Sequence, residues 1–421
     1  MVKLLIIADD FTGALDTGVQ FAARGAATRV VTDLAYDFTL ADAEVLVMVA
    51  ETRHLPPEEA YDVVYRTARN AREAGIPYIY KKTDSALRGN IGSELTAVMD
   101  AAGSDTIAFL PAFPKMGRVT RNGVHYVDGV PVAESVFGKD PFEPVKASAV
   151  AQIVGGQTEV PVVLHRLDEA AVPGAPGIQV YDATTDEDLA RIGGELGTER
   201  LRLSAGCAGF ATALADVLGL NGTEPQMPQL PSAFFVACGS VNPVTLRQMR
   251  WAEQNGFVHI HLEPVQKLEP AWLESEDCGI KIRIWLEQAR NSGRCILDVN
   301  DPMGLDDTAV YAKTHGLTTE DLRVRISTQL AHLMKRLLDG GLDAAILCTG
   351  GDTLLALMRT VGTAELTPVR ELTTGAVLTN FVYRGKTYYI ISKSGGFGEP
   401  DLFCKLAAFV RAGSQEEDAV C

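Results

Sequence analysis

Short apolar runs, such as Leu4-Leu5-Ile6-Ile7-Ala8 and Ala345-Ile346-Leu347-Cys348, alternate with amphipathic stretches along almost the whole chain. An amphipathic helix between two apolar strands returns the chain to the edge where the first strand began. This alternation therefore dictates parallel sheets flanked by helices. In the first half, strands are expected near 3–8, 44–50, 77–81 and 106–110. Helices are expected from about Thr12 to Arg24, before Gly75 and up to about Gly103. The stretch 117–133 departs from the pattern. Asn122-Gly123 and Asp128-Gly129 separate short apolar runs there, which is the chemistry of tight hairpins and predicts an antiparallel insertion.

The chain has 421 residues, more than one core ordinarily organises, and 47% of them are hydrophobic, enough for two. Around 221–232 three prolines interrupt a polar segment, and the strand pattern restarts at Phe234. The expected organisation is a domain over 1–222, a linker over 223–232 and a second domain over 233–421. Each domain is read as α/β, a largely parallel sheet with helices on its faces. The acidic tail from about Gly413 is expected to fray.

No apolar run approaches the length of a membrane span, and Met1 leads straight into a strand without the regions of a signal peptide. The seven cysteines include no C-x-x-C pair and none precedes Cys207, so reduced core thiols in a cytoplasmic protein are expected. A net charge of −16 without a basic cluster argues against nucleic acid as a partner. A homodimer is left open, because an apolar edge is not legible in sequence.

Three strands of the second half run into glycine turns followed by helices. Phe234–Cys238 precedes Gly239-Ser240-Val241-Asn242, Ala345–Cys348 precedes Thr349-Gly350-Gly351-Asp352-Thr353, and Tyr388–Ser392 precedes Lys393-Ser394-Gly395-Gly396-Phe397-Gly398. Glycines admit close backbone approach, and the first turn of a helix offers N–H groups without internal partners. One helix end contributes only ~0.3–1 kcal/mol toward an anion, so a triphosphate needs several such ends and a cation. Lys393 is the candidate cation, and Asp352 a candidate carboxylate for Mg²⁺. No Walker A sequence or G-x-G-x-x-G is present.

Polar residues gather after the strands of the first half: Asp9-Asp10-Phe11-Thr12, then Glu51-Thr52-Arg53-His54, then Lys82-Thr83-Asp84-Ser85. Asp10 or Thr12 serves equally well as a helix cap. Arg53 and Lys82 suit a small carboxylate, and Asp and Ser side chains suit its hydroxyls. His259 and His261 alternate along one strand without a third ligand near them in sequence, so a structural role is expected for them. The turn Asp298-Val299-Asn300-Asp301-Pro302 is a weaker candidate for contact with ATP or Mg²⁺.

Together the Ala8-Asp9-Asp10-Phe11-Thr12-Gly13-Ala14 start, the loop Lys82-Thr83-Asp84-Ser85-Ala86-Leu87-Arg88-Gly89-Asn90 and the late Lys393-Ser394-Gly395-Gly396-Phe397-Gly398 resemble the four-carbon acid sugar kinases. Gly117-Arg118, Asp128-Gly129-Val130-Pro131-Val132 and Asp140-Pro141 extend the resemblance, which runs from Leu5 to about Phe403. It implies an N-terminal substrate domain, a C-terminal nucleotide domain, a cleft between them, and ATP-dependent phosphorylation of the terminal hydroxyl of a four-carbon sugar acid. It further implies substrate binding by Asp10, Arg53, Lys82, Thr83, Asp84 and Ser85, and ATP binding by Ser240, Gly350, Gly351, Asp352, Thr353 and Gly395. Two positions depart from the family pattern. Asp352 stands where G-G-E-T has Glu, and Gly396 where S-G-N-F-G has Asn. The Asp84–Asn90 loop is similar to that of D-threonate and D-erythronate kinases more than to the 3-oxo-tetronate kinases.

In phosphoryl transfer the protein aligns reactants and neutralises charge. Asp10 or Asp84 is expected to accept or orient the hydroxyl proton, and spacing alone does not choose between them. A dehydrogenase on a similar fold should show a dinucleotide fingerprint after the first strand, and Asp9-Asp10-Phe11-Thr12-Gly13 is not one. A non-catalytic sugar-acid binding protein has no use for a second, nucleotide-binding half.

Overall fold

A computed structural model of the chain describes residues 1–140, 143–170 and 175–413. Pro141, Cys421 and the tail beyond Gly413 lie outside them. The chain divides into two compact units, Met1–Pro225 and Gln226–Cys421.

The first unit contributes β1 (Leu4–Ala8), β2 (Thr28–Val31), β3 (Val45–Val49), β4 (Tyr78–Lys82), β5 (Thr106–Leu110), β6 (Arg118–Arg121), β7 (Val124–Val127), β8 (Val130–Pro131), β9 (Val162–His165), β10 (Gly177–Tyr181) and β11 (Leu203–Gly206). Eight of these form one sheet in the order β2-β3-β1-β4-β11-β5-β10-β9, and every neighbouring pair is parallel. β1 and β3 are uninterrupted apolar runs with every residue buried, as a strand covered by helices on both faces requires. The core pairs Leu5, Ile7, Leu46 and Met48 with helix residues such as Val64, Leu95 and Val98.

From β1 the chain turns toward β2 and β3, and from β4 it turns the other way toward β5. The order therefore reverses between β1 and β4, and the crevice outside such a reversal is where open α/β sheets hold ligands.

The antiparallel insertion is present as a separate sheet, β6-β7-β8. Arg121 pairs Val124 and Val127 pairs Val130, leaving Asn122-Gly123 and Asp128-Gly129 as two-residue turns. All four turn residues have positive φ, 52°, 71°, 50° and 80°, as the sequence of the turns requires.

The second unit contributes β12 (Phe234–Cys238), β13 (Val258–His261), β14 (Arg294–Asp298), β15 (Ala345–Thr349), β16 (Glu365–Thr373), β17 (Ala376–Tyr383) and β18 (Lys386–Lys393). Its strand order is β13-β14-β12-β15-β18-β17-β16. The first five are parallel and the last two join antiparallel, so the sheet is mixed at one side. Phe234, Val236, Leu347, Ile391 and Phe403 lie in its core. No helix among the described residues is long and apolar enough to cross a membrane.

Candidate functional site

In the first unit, Ala8 at the end of β1 lies in register with Lys82 at the end of β4, so the segments after both strands emerge side by side. Asp10 caps the helix Phe11–Ala22 by accepting from the Gly13 backbone N–H at 3.1 Å. The cap does not exhaust it, because Arg53 Nη2 lies 2.7 Å from the same oxygen, Asp10 Oδ1. Asp10 Oδ2 meets no protein donor among the described residues.

Arg53 is the hub of this group. Its Nε and Nη2 both reach Asp9 Oδ2 at 2.7 Å, and its Nη2 lies 3.7 Å from Asp84 Oδ1. Lys82 Nζ stands 3.5 Å from Asp9 Oδ1. Burial by itself would raise the pKa of Asp9, but Arg53, Lys82 and Lys81 outweigh it and hold it at about 2. Burial would likewise lower Lys82, and Asp9 and Asp10 raise it instead.

Asp84 is gripped on both oxygens. Arg88 Nε donates to Oδ2 at 2.8 Å and Arg88 Nη2 to Oδ1 at 3.0 Å, while the backbone N–H groups of Ala86 and Arg88 donate to Oδ2 at 3.2 Å. Against the upward pull of burial, Arg88 and Arg53 keep this carboxyl well below the usual carboxylate range. It is a clamped anion and a poor proton acceptor. Arg88 Nη1 extends the chain of charges to Asp140 at 3.2 Å.

The loop that carries these groups is held from two sides. Asn90 Nδ2 donates to the Thr52 and Leu55 carbonyls at 2.9 Å, tying the segment after β4 to the segment after β3. Gly89 has φ +83°, and a Cβ there would stand 3.0 Å from Arg53 Cγ, so the close approach of the two segments needs glycine. From the insertion, His125 Nε2 donates to the Ser85 carbonyl at 2.9 Å, and its Nδ1 accepts from Thr120 Oγ1 at 3.0 Å. Burial pulls its pKa down to about 4, so the ring is neutral and this tautomer is the consistent one. Thr83 Oγ1 is buried and has no partner among the described residues. On the other side of β4, Lys81 forms a buried ion pair with Glu94 at 2.9 Å and donates to the Lys82 carbonyl at 2.7 Å.

In the second unit, the strands that end in glycine turns, β12, β15 and β18, are adjacent, so the three turns are neighbours. Gly239 N–H donates to the Thr349 carbonyl at 3.2 Å, and Gly350 N–H points to the Lys393 carbonyl at 3.4 Å. Gly350, at φ +97°, opens the helix Gly351–Val361 with no side-chain cap, leaving first-turn N–H groups for a ligand. Ser240 Oγ accepts from Asn242 N–H at 3.2 Å, and Asn242 Oδ1 caps the helix Pro243–Gln254. A Cβ on Gly395 would stand 2.8 Å from Ser240 Oγ, so the first and third turns pass in close contact.

Lys393 is 2% exposed, and its ammonium lies under the third turn. It donates to the Ser394 carbonyl at 2.9 Å and to the Gly395 carbonyl and Thr245 Oγ1, both at 3.3 Å. Burial pulls its pKa down to about 8. Asp352 sits in the first turn of its helix, half exposed, with Arg323 Nη1 at 3.0 Å.

The sequence assigned no individual role to Arg88, Asn90, His125, Thr245 or Gln248, whose Nε2 faces the carbonyls of Phe397, Gly398 and Glu399 at 2.9–3.0 Å. Arg88 stood in the loop already singled out, four residues from Asp84. For His125 no local signal pointed to the site, because Ser85, whose carbonyl it holds, is forty positions away. His259 and His261 have a carboxylate neighbour that is distant in sequence. Strand β14 runs beside β13 in the register His261 to Asp298, and it brings the Asp298 carboxylate to both rings.

Residues 4–214 match the family model described as a sugar-binding N-terminal domain, and residues 235–403 the one described as a nucleotide-binding C-terminal domain. The chain is 30% identical to the D-threonate kinase of Salmonella typhimurium, over 97% of this chain and 98% of that one. It is 29% identical to the D-erythronate kinase of Heliobacterium modesticaldum, over 96% of each chain. With the 3-oxo-tetronate kinase of Methylobacterium radiotolerans it shares 26%, over 94% of this chain and 96% of that one. A solved protein of Salmonella typhimurium LT2 shares the fold with a TM-score of 0.81 at 21% identity, covering 96% of this chain and 99% of that one. The two-domain match and the full-length similarity place the chain in a family of phosphotransferases: it belongs to the four-carbon acid sugar kinases.

Proposed function

We propose that this enzyme transfers the γ-phosphoryl group of ATP to the terminal 4-hydroxyl of a four-carbon sugar acid, with D-threonate or D-erythronate as the acceptor. The observation that carries the reading is the group around Arg53, where clamped and half-open carboxylates stand among cations at the reversal of the first sheet. Two relatives at 30% identity are named D-threonate kinases and one at 29% a D-erythronate kinase, which supports those acceptors.

Arg53 and Lys82 would hold the acid's carboxylate, with Thr83 and Ser85 in reach of its hydroxyls. Asp10 would accept or orient the proton of the reacting hydroxyl through Oδ2. Asp84, clamped on both oxygens, would instead keep Arg53 and Arg88 in place. In the second unit, the N–H groups of the Gly350–Thr353 turn, Ser240 and Gly395 would hold the ATP phosphates. Lys393 would act by stiffening the Ser394–Gly395 turn from below and adding positive charge behind it. Asp352 fits Mg²⁺, which takes one or two carboxylates alongside phosphate oxygens, provided the contact with Arg323 is exchanged. Bound there, the ion would neutralise phosphate charge.

A cytoplasmic location belongs to this proposal, supported by six unpaired described cysteines, five of them buried. The test is ADP release with ATP, Mg²⁺ and a panel of D-threonate, D-erythronate and 3-oxo-tetronate. Turnover with the first two and little with the third is expected. No release with any four-carbon acid would sink the proposal.

A further inference from the structure

We propose that His259, His261 and Asp298 form a binding site for a first-row divalent transition ion of the zinc class, separate from the glycine turns. His259 and His261 point to the same side of β13, and their rings lie 4.0 Å apart. Asp298 ends the adjacent strand β14, and its Oδ2 stands 3.1 Å from His259 Nε2 and 3.7 Å from His261 Nδ1. One donor atom from each residue lies within 4.8 Å of the others. Ligands about 2.1 Å from a tetrahedral zinc ion are about 3.4 Å from each other, so this spacing needs only small adjustments to close on an ion. Two imidazoles and one carboxylate are a donor set that suits zinc, iron, cobalt or nickel and not Mg²⁺.

The surroundings have the features of a ligand's supporting shell. His259 Nδ1 faces Glu253 Oε2 at 3.3 Å, so the ring is held by a carboxylate on the side away from the other donors. Carboxylate–histidine–metal arrangements orient the ring in this way. Asp298 Oδ1 is occupied by the backbone N–H and the side-chain amide of Asn300, at 2.9 and 2.7 Å, which leaves Oδ2 for the ion. His261 Nδ1 also lies 3.0 Å from the Asn300 carbonyl, a hydrogen bond that metal binding would exchange for a coordinate bond. His261 keeps 28% of its side-chain surface exposed, against 5% for His259 and 2% for Asp298, so the site has an entry path and room for a water ligand. Asn300 Nδ2 donates onward to the Ser240 carbonyl at 3.1 Å, joining this cluster to the first glycine turn.

The competing account is a proton in place of the metal, with a His259 imidazolium bridging Glu253 and Asp298. Titration of Co²⁺ into the untagged, chelator-treated full-length chain separates the two, and it is run without ATP or sugar acid so that it does not depend on the kinase reading. One saturable equivalent with visible d–d absorption, displaced by Zn²⁺, is expected. His261→Gln and His259→Gln should each abolish it. Glu253→Gln, on the surface, should weaken it roughly tenfold. Circular dichroism establishes that each variant is folded. Absence of saturable binding by the wild-type chain, or unchanged affinity in all three variants, overturns the proposal.

Discussion

Replacing Asp10 by Asn, in parallel with Asp84 by Asn, separates a carboxylate that acts on the substrate from one that holds the site together. Asn caps a helix about as well as Asp, so the Gly13 hydrogen bond survives the first change. Arg53 retains both contacts to Asp9, and the loss in stability should be about 1 kcal/mol. Chemistry should suffer more. General-base participation contributes roughly 10²–10⁴-fold, so kcat and kcat/KM for the sugar acid should fall together by that factor.

Asp84→Asn disturbs a different balance. It removes the charge that pairs Arg88 at 2.8 and 3.0 Å in a buried setting, leaving cations facing a neutral amide. Breaking such a pair costs about 3–5 kcal/mol. In a unit of this size that lowers Tm by roughly 6–20 °C. Steady-state ADP release and thermal unfolding of both variants provide the readouts. The reasoning fails if Asp10→Asn keeps kcat within about threefold of wild type, since the smallest base effect expected is roughly 10²-fold. It fails equally if Asp84→Asn unfolds at the wild-type temperature while losing as much kcat as Asp10→Asn.

Gly395→Ala should raise the KM for ATP about tenfold, about 1.4 kcal/mol, without changing that for the sugar acid, because the new methyl meets Ser240 Oγ. Gly396→Ala, whose nearest neighbour is 3.8 Å away, is the matched control and should behave as wild type. Lys393→Met should lower the stability of the ATP-free protein by about 1–3 kcal/mol, because the Ser394 and Gly395 carbonyls lose their donor; an unchanged Tm would point to direct phosphate contact instead. Asp9 has a folded pKa depressed from 3.8 to about 2, so its stabilisation is present above pH ~4 and lost as pH falls through about 2. That term is on the order of 2 kcal/mol. The stability gap between wild type and Arg53→Met, followed by urea unfolding, should therefore narrow as pH is lowered from about 4 to about 2.

Local chemistry makes much of this protein legible in its sequence. The Asn122-Gly123 and Asp128-Gly129 turns form as their residues demand, because a two-residue hairpin needs positive φ at both positions. The buried runs Leu4–Ala8 and Val45–Val49 are central parallel strands, and the expected helix start near Thr12 lies one residue from the observed Phe11. Asp10 illustrates where local reading stops. Cap and charged group read as alternatives in the sequence, whereas Asp10 both caps its helix and pairs with Arg53, because Arg53 arrives from the segment after β3.

Which segments are strands, where their polar and glycine turns lie and which residue types stand there can be read from the chain alone. These follow from periodicity and turn chemistry within a few positions of each residue. Strand order is a long-range property that no window of sequence contains, and it is set by packing between distant segments. Placing β1 between β3 and β4 joined Asp9, Arg53 and Lys82, and placing β12, β15 and β18 side by side made three separate glycine turns neighbours. The same rule, applied to β13 and β14, gave two histidines of one strand a carboxylate from the next.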